Sequence, residues 1–316
     1  MKRKIENITV VLGCLLLIVL VWIAIRSTRV LAAGGTYQEV ENWAQLPAGT
    51  DWGVMSAVGV DSKDNVYAFK RSEPGQKENG VMSSSVLVFD SHGKFLQSWG
   101  QNIFSSAHGL RVGLDNLIWI TDRTGDQVFK FSSSGELLMT LGQKGVAGSN
   151  DSHDALNGPS DVVIGTNGDI FVSDGESPNT RVVKFSKDGK FIKYWGTKGN
   201  APGQFTIPHN ITLDPQGRLW VCDRGNKRIQ VFDQDGNFLE QMTQFGTPSS
   251  VFIAKDGTVY VADGEPENQI VIGNVDGTVS NKIQGLKGPH WVAADSTGAV
   301  YVAETAGQSI RKFAHQ

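Results

Sequence analysis

The chain has 316 residues and a nearly balanced charge, with 29 Lys and Arg against 32 Asp and Glu and a formal net charge of −3. Its basic residues are scattered rather than clustered, so the sequence indicates no nucleic-acid partner. Of its two cysteines only Cys222 lies beyond the N-terminal segment, which excludes a disulfide within the rest of the chain.

The N-terminal segment has the pattern of an export signal. Basic residues at positions 2–4 precede an uncharged, apolar run from Ile8 to Ile25. A run of this length can span a bilayer as a helix, whereas the following Val30-Leu-Ala32 is also typical of a signal-peptidase site. We predict that residues 1–33 form a membrane-spanning signal anchor, with a cleaved signal peptide as the alternative. Because more basic residues precede the run than follow it, the rest of the chain is expected outside the cytoplasm, anchored or secreted.

Six similar segments follow the leader, each with alternating apolar residues bounded by Asp, Gly and Asn turns. Their central aromatic residues recur at intervals of 40 to 52 positions, at Tyr67, Trp119, Phe171, Trp220, Tyr260 and Tyr301. A period of this length with strand-like alternation indicates a propeller rather than a helical solenoid. The sequence therefore predicts an all-β fold, a six-bladed β-propeller over residues 34–316.

The fourth repeat contains four strand-like segments between His209 and Met242, which is one propeller blade. The last repeat has room for only three strands, so the alternating segment 37–43 is predicted to supply its outermost strand and to remove an open edge. We expect a monomer. The blades are predicted at residues 54–100, 106–142, 158–196, 208–242, 248–285 and 289–316.

Histidine occupies the same place in alternate repeats. Counting eleven residues back from each central aromatic residue gives Ser56, His108, Ser160, His209, Ser249 and His290. Equivalent positions of a propeller lie at one radius and height, so the three histidines are predicted to meet at the central channel. Three neutral imidazoles with an open fourth position are typical of catalytic zinc, although iron, manganese or cobalt could bind the same nitrogens. Three structural histidines without a metal are the alternative.

Several segments resemble known proteins. Residues 226–232, Asn-Lys-Arg-Ile-Gln-Val-Phe, and the glycine-rich turns resemble NHL-repeat six-bladed propellers. More specifically, residues 107–110 (Ala-His-Gly-Leu), 203–209 (Gly-Gln-Phe-Thr-Ile-Pro-His) and 288–290 (Gly-Pro-His) resemble the three metal-ligand segments of peptidyl-α-hydroxyglycine α-amidating lyase. That lyase splits a C-terminal hydroxyglycine into a peptide amide and glyoxylate. The resemblance implies a small peptide or another hydroxylated amide as the substrate.

The resemblance also implies roles for single residues. His108, His209 and His290 would bind zinc. Arg71 and Arg224 follow the second strands of blades one and four and would orient the substrate carboxylate, which suits the planar fork of a guanidinium. An ion pair within the fold is the alternative role for Arg224. Acidic residues at the preceding position in the other blades are expected to accept hydrogen bonds at strand ends.

Two departures from that family are visible. Its catalytic tyrosine follows the Ser-Asp-Gly of blade three, where this chain has Glu176, so Glu176 is the candidate for the missing base unless it is a solvated loop residue. The family's structural calcium uses carbonyls at positions matching Val58 and Leu110 and an aspartate where this chain has Trp291. Since calcium depends on carboxylate oxygens, the loss should severely weaken calcium binding.

Two functions therefore remain open from the sequence. The first is a metal-dependent lyase of the amidating type. The second is a non-catalytic, exported NHL propeller that binds peptide, protein or cell-envelope ligands through its broad face. A lactonase-type propeller is disfavoured because that class uses acidic and amide ligands.

Overall fold

Six antiparallel sheets of four strands each make up the structure, a computed structural model that describes residues 36–72, 75–78 and 81–316. The innermost strands contact one another in a closed cycle, which confirms the predicted all-β, six-bladed propeller. The predicted leader at residues 1–33 lies outside the described residues. Within the described ranges, no helix is long and apolar enough to cross a membrane.

The blades are numbered in chain order, and their strands are given from the axis outward. Blade one contains Met55–Val60, Val66–Lys70, Val86–Phe89 and Phe95–Trp99, with a two-stranded hairpin of Lys77–Glu78 and Val81–Met82 in its second connection. Blade two contains Ala107–Val112, Ile118–Asp122, Gln127–Phe131 and Leu137–Leu141. Blade three contains Pro159–Ile164, Ile170–Asp174, Arg181–Phe185 and Phe191–Trp195.

Blade four contains Pro208–Leu213, Leu219–Asp223, Arg228–Phe232 and Phe238–Met242, with a short 3-10 helix, Arg224–Asn226, after its second strand. Blade five contains Pro248–Ile253, Thr258–Asp263, Gln269–Asn274 and Val279–Ile283. Blade six contains Pro289–Ala294, Val300–Glu304, Ser309–His315 and Tyr37–Glu39.

Short polar turns connect the strands, and the turn at residues 214–217 shows why. The Asp214 carboxylate accepts hydrogen bonds from the backbone N–H groups of Gln216 (3.0 Å) and Arg218 (2.8 Å). Gly217 has a φ of 78° and donates its N–H to the Asp214 carbonyl, a conformation that residues with a Cβ rarely adopt. Side-chain acceptors and positive-φ glycine thus make the tight reversals that a four-stranded blade requires.

The N-terminal part of the described chain closes the ring. Tyr37–Glu39 pairs antiparallel with the last strand, and Tyr37 lies opposite His315. The strand is shorter than the predicted 37–43, because the chain turns after Val40 and the Trp43 indole N–H instead donates to the Ile310 carbonyl (3.1 Å). Both ends of the propeller therefore contribute to blade six.

Apolar packing between neighbouring blades forms the core. The six central aromatic residues of the second strands are all buried, with at most 4% of the surface of each exposed. Burial of aromatic side chains of this size stabilises the fold by about 2 kcal/mol or more for each residue. The blades are thereby fixed relative to one another, so side chains that emerge from different blades near the axis have a defined geometry.

Candidate metal and substrate site

The same irregularity occurs near the start of the innermost strand in every blade. The residue-by-residue pairing with the second strand shifts there. One residue of the innermost strand is left out of the pairing, and in blade two both His108 and the following Gly109 are left out. A β-bulge of this kind redirects the side chain that it carries. The redirected residues are the predicted alternating set, namely Ser56, His108, Ser160, His209, Ser249 and His290.

The three histidines of this set come together. The ring centroids of His108, His209 and His290 lie 4.8 to 5.0 Å from one another, and one nitrogen of each ring lies within 4.8 Å of the other two. All three side chains are buried. Three imidazoles from blades two, four and six therefore share one small space, and their ring nitrogens could hold a metal ion.

Hydrogen bonds to the intervening blades set the tautomer of each histidine. The Nδ1 atoms of His108, His209 and His290 lie 2.8, 2.5 and 2.6 Å from the backbone carbonyl oxygens of Ser160, Ser249 and Ser56, respectively. A carbonyl oxygen only accepts, so Nδ1 carries the proton in each ring. The other nitrogen, Nε2, is left with an unshared electron pair, the arrangement that orients a metal-binding histidine.

Burial keeps these rings neutral. Desolvation lowers the pKa of His108 to about 4, and it lowers the pKa values of His209 and His290 well below their usual 6.5. Among the described residues, neither the Nε2 of His108 nor that of His209 has a hydrogen-bond partner. Buried acceptors without a donor are costly, and neutral imidazole nitrogens are good ligands of divalent transition metals. The donor set therefore fits such an ion.

The Glu176 side chain lies beside this cluster. Its Oε1 is 3.5 Å from the Nε2 of His209, and its Oε2 is 3.7 Å from the Nε2 of His108. Only 9% of the side chain is exposed, so the alternative of a solvated loop glutamate is wrong. The loop that follows the second strand of blade three directs this carboxylate inward, toward the histidines.

Two arginines hold the Glu176 carboxylate from other blades. Arg224 donates from Nη2 to Oε1 at 2.7 Å, and Arg123 donates from Nη1 to Oε2 at 3.4 Å. The predicted alternative for Arg224, an ion pair within the fold, is thus present, with Glu176 as the partner rather than the adjacent Asp223. Asp223 instead pairs with Arg228 (2.9 Å).

Arg71 belongs to the same group of charges. Desolvation lowers its pKa, and the charges of Arg123, Glu176 and Arg224 all act on it. Its Nε lies 3.3 Å from the Ser56 hydroxyl, which in turn donates to the His108 carbonyl (2.6 Å). Arg71 therefore approaches the histidines through a bulge serine.

Arg123 was missed by the sequence reasoning, although a signal was present. Arg71, Arg123 and Arg224 each follow the last residue of a second strand. The backbone N–H of each donates at 2.9 Å to a carbonyl just before its innermost strand, at Val54, Ser106 and Ile207. The three arginines are therefore equivalent by repeat position, and a comparison of the repeats with one another would have added Arg123 to the two arginines that the resemblance implied.

Acidic residues end the second strands of blades two to six, and their carboxylates accept hydrogen bonds within the fold. The Asp122 carboxylate accepts the backbone N–H groups of Ser105 (2.7 Å) and Ser106 (2.6 Å). Asp263 and Glu304 likewise accept backbone N–H groups from the connections that lead into their blades. These carboxylates are strand-end acceptors, as expected.

Trp291 lies next to the histidines, where the resemblance places an aspartate. Its indole ring is 6.0 Å from the His290 ring and 6.4 Å from the His108 ring, and only 3% of its surface is exposed. Val58 and Leu110 line a cavity of about 40 Å³ with it. An apolar ring thus occupies the neighbourhood in which calcium would need a carboxylate, and weak calcium binding stays a prediction.

The fold and the axial residues together define the class: a six-bladed propeller with three convergent histidines beside one carboxylate that two arginines hold. The NHL-repeat pattern matches residues 156–185 and 205–232, in blades three and four. NHL repeat-containing protein 3 of Homo sapiens is 34% identical over 286 residues, which cover 83% of this chain and 79% of that protein. The chain belongs to the NHL-repeat family, as its repeat pattern predicted.

Other relatives carry names that include amidation. Peptidyl-glycine alpha-amidating monooxygenase B of Xenopus laevis is 32% identical over 85% of this chain, but the chain spans only 35% of that protein. Peptidyl-alpha-hydroxyglycine alpha-amidating lyase 1 of Drosophila melanogaster is 30% identical over 84% of this chain and 57% of that protein. Among solved structures, a streptogramin B lyase has a TM-score of 0.59 over 89% of this chain and 98% of that chain; at 17% identity it supports the fold alone.

Proposed function

We propose that this protein is a metal-dependent lyase that cleaves an N-acyl-α-hydroxyglycine into an amide and glyoxylate. The observation that carries the proposal is the convergence of three Nε2 electron pairs on one buried space, next to a carboxylate and three arginines. His108, His209 and His290 would hold zinc or another divalent transition metal. The relative from Drosophila melanogaster, whose name includes this lyase activity, adds support at the level of the family.

The proposed reaction is an elimination in which one proton moves from the hydroxyl group to the amide nitrogen. The hydroxyl O–H bond and the carbon–nitrogen bond break, a carbon–oxygen double bond forms, and the amide nitrogen takes up a proton. When bound, the metal ion supplies Lewis-acid chemistry that lowers the pKa of a hydroxyl group. No oxidant or reductant is required, because the substrate carbon already has the oxidation level of glyoxylate.

The arginines bind and orient the substrate. Arg71 is the first candidate for the substrate carboxylate, because no acidic side chain is within ion-pair distance of its guanidinium among the described residues. Arg224 is paired with Glu176 but keeps 27% of its side chain exposed, so its second edge can reach the same carboxylate. A planar guanidinium fixes the orientation of a carboxylate better than an ammonium group does.

Glu176 is the proton acceptor in this proposal. It follows the Ser-Asp-Gly segment after which the resembling lyase has a tyrosine, and its carboxylate lies within 3.7 Å of two histidine Nε2 atoms. It can take the hydroxyl proton and return it to the departing nitrogen, which is the work of one general base. The arginines Arg123 and Arg224 hold the carboxylate in place for this step.

The test is glyoxylate release from an N-acyl-α-hydroxyglycine by the full-length protein containing one zinc per chain. Arg224→Ala should lower kcat/KM by about 10- to 100-fold, the effect of losing a charge-assisted hydrogen bond. Arg218→Ala is a matched control. Arg218 immediately precedes the strand that Arg224 follows, is 29% exposed, and pairs with Asp214 at 2.6 Å at the opposite end of the strand. No glyoxylate from the zinc-loaded protein contradicts the proposal.

A non-catalytic propeller is the second candidate, and one observation favours it. Glu176 already pairs with Arg123 and Arg224, so two of the three arginines are occupied without a ligand. A protein or peptide that binds the same face would then use the remaining charge of Arg71. Binding of an acidic peptide that is lost in Arg71→Ala, together with no glyoxylate release, would favour this function over the lyase.

A further inference from the structure

Glu176 and the histidines present electron pairs to each other with no proton between them. Nδ1 carries the proton in His108 and His209, since each donates to a backbone carbonyl, so Nε2 in both rings is an acceptor. The Glu176 oxygens at 3.7 and 3.5 Å from these nitrogens are acceptors as well. Electron pairs that face each other at this distance in a buried site repel, and a cation bound between them would offset that repulsion.

The distances from Glu176 to the two histidine nitrogens are close to those between ligands of one metal ion. Bonds of about 2.0–2.2 Å at a tetrahedral angle place neighbouring ligand atoms about 3.3–3.6 Å apart. The separation of 3.5 Å between Glu176 Oε1 and His209 Nε2 falls in this interval, and the 3.7 Å between Oε2 and His108 Nε2 lies just outside it. Direct hydrogen bonds between the same atoms would be nearer 3 Å.

We propose that Glu176 is a fourth protein ligand of the metal ion held by His108, His209 and His290 in the substrate-free protein. The inference rests on the metal site of the proposed function and deepens it. A three-histidine, one-carboxylate set closes the coordination sphere, whereas a catalytic site needs an open position. An incoming α-hydroxy acid must therefore displace Glu176, which frees the carboxylate to act as the base.

The two arginines can hold the Glu176 carboxylate after it leaves the metal ion. Arg224 and Arg123 approach its two oxygens at 2.7 and 3.4 Å. A carboxylate oxygen has two electron pairs, so Oε1 can contact a metal ion and Arg224 together. Release from the metal therefore leaves the carboxylate paired rather than isolated.

The experiment compares metal binding by the full-length wild-type protein, Glu176→Gln and the control Glu240→Gln. Glutamine keeps the size of the side chain and removes its charge. Glu240 is a suitable control because it also pairs with an arginine, Arg218 at 2.8 Å, but lies on an outermost strand. Zn²⁺ affinity is measured by competition with a chelator, and the coordination of Co²⁺ by its visible absorption spectrum.

Loss of a ligand should lower the Zn²⁺ affinity of Glu176→Gln by more than about 100-fold, since outer-sphere partners alone change it by about 10- to 100-fold. The Co²⁺ spectrum should change in the same variant and stay as in the wild type in Glu240→Gln. A Zn²⁺ affinity within about threefold of wild type, with an unchanged Co²⁺ spectrum, overturns the inference. Because neither readout is turnover, that result leaves the proposed lyase activity to be decided separately by glyoxylate release.

Discussion

His290 in blade six donates its Nδ1–H to the carbonyl oxygen of Ser56 in blade one, at 2.6 Å. The same bond joins blade two to three and blade four to five, so each histidine is oriented by the bulge serine of the following blade. The His290 bond joins the last blade of the ring to the first. The orientation of the third histidine therefore depends on the contact between these two blades.

Removing any one of the axial histidines should remove the metal. His108→Ala, His209→Ala and His290→Ala each delete one of three nitrogens that lie within 4.8 Å of one another, so elemental analysis should show about one metal per wild-type chain and none in each variant. His153→Ala is the control, because its ring stacks on Phe191 at 4.1 Å, away from the axis. Full metal content in any one axial variant contradicts the three-ligand assignment.

Two replacements of Arg71 should distinguish the effect of its charge from the effect of its planar shape. Arg71→Lys keeps the positive charge but loses the two parallel hydrogen bonds of a guanidinium, so kcat/KM for an α-hydroxyglycine substrate should fall by about tenfold. The kcat/KM of Arg71→Ala should be lower still. Zinc content should be unchanged in both, because Arg71 is not one of the proposed ligands and its Nε donates to the Ser56 hydroxyl. Equal turnover by wild type and Arg71→Ala in a steady-state glyoxylate assay would exclude Arg71 from the mechanism.

A buried ion pair between the innermost strands should be needed for stability. Arg111 donates to the Asp161 carboxylate at 2.6 Å, and burial raises the pKa of Asp161. Arg111→Met leaves that carboxylate without its cation and should lower the free energy of unfolding by about 3–5 kcal/mol. The double change Arg111→Met with Asp161→Asn should recover part of the loss in urea unfolding. Equal stability of the single variant and wild type would show that the pair contributes nothing.

Acid should destabilise the metal-free protein. The folded pKa of His108 is lowered to about 4, below the unfolded value of about 6.5, so between these values the unfolded chain binds the extra proton. Stability is therefore fully present above about pH 6.5 and is lost as the pH falls toward 4, by up to about 1.4 kcal/mol per pH unit for each such histidine.

Denaturant unfolding of the chelated protein between pH 7 and pH 4.5 measures this dependence. His108→Gln removes one of the groups, so its stability should fall less steeply with acid than that of wild type. The same slope in both proteins would mean that the folded state binds the His108 proton as readily as the unfolded chain does.

The repeat, the blade and the alternating histidines were predictable because they are local or periodic properties. Turn residues and apolar alternation specify each blade, and a period of 40 to 52 residues specifies the ring. Equal positions in equal repeats then predict that His108, His209 and His290 converge. Arg123 was equally predictable from its repeat position, since it matches Arg71 and Arg224.

The sequence by itself thus determined the fold, the family and the convergence of the three histidines. Only the tertiary structure decided that a bulge turns these side chains inward, that the serine carbonyls of the next blades leave Nε2 without a proton, and that Glu176 is buried between two arginines and two histidines. The physical reason is that these contacts join residues from different blades. Their geometry exists only when the closed ring fixes the blades around one axis.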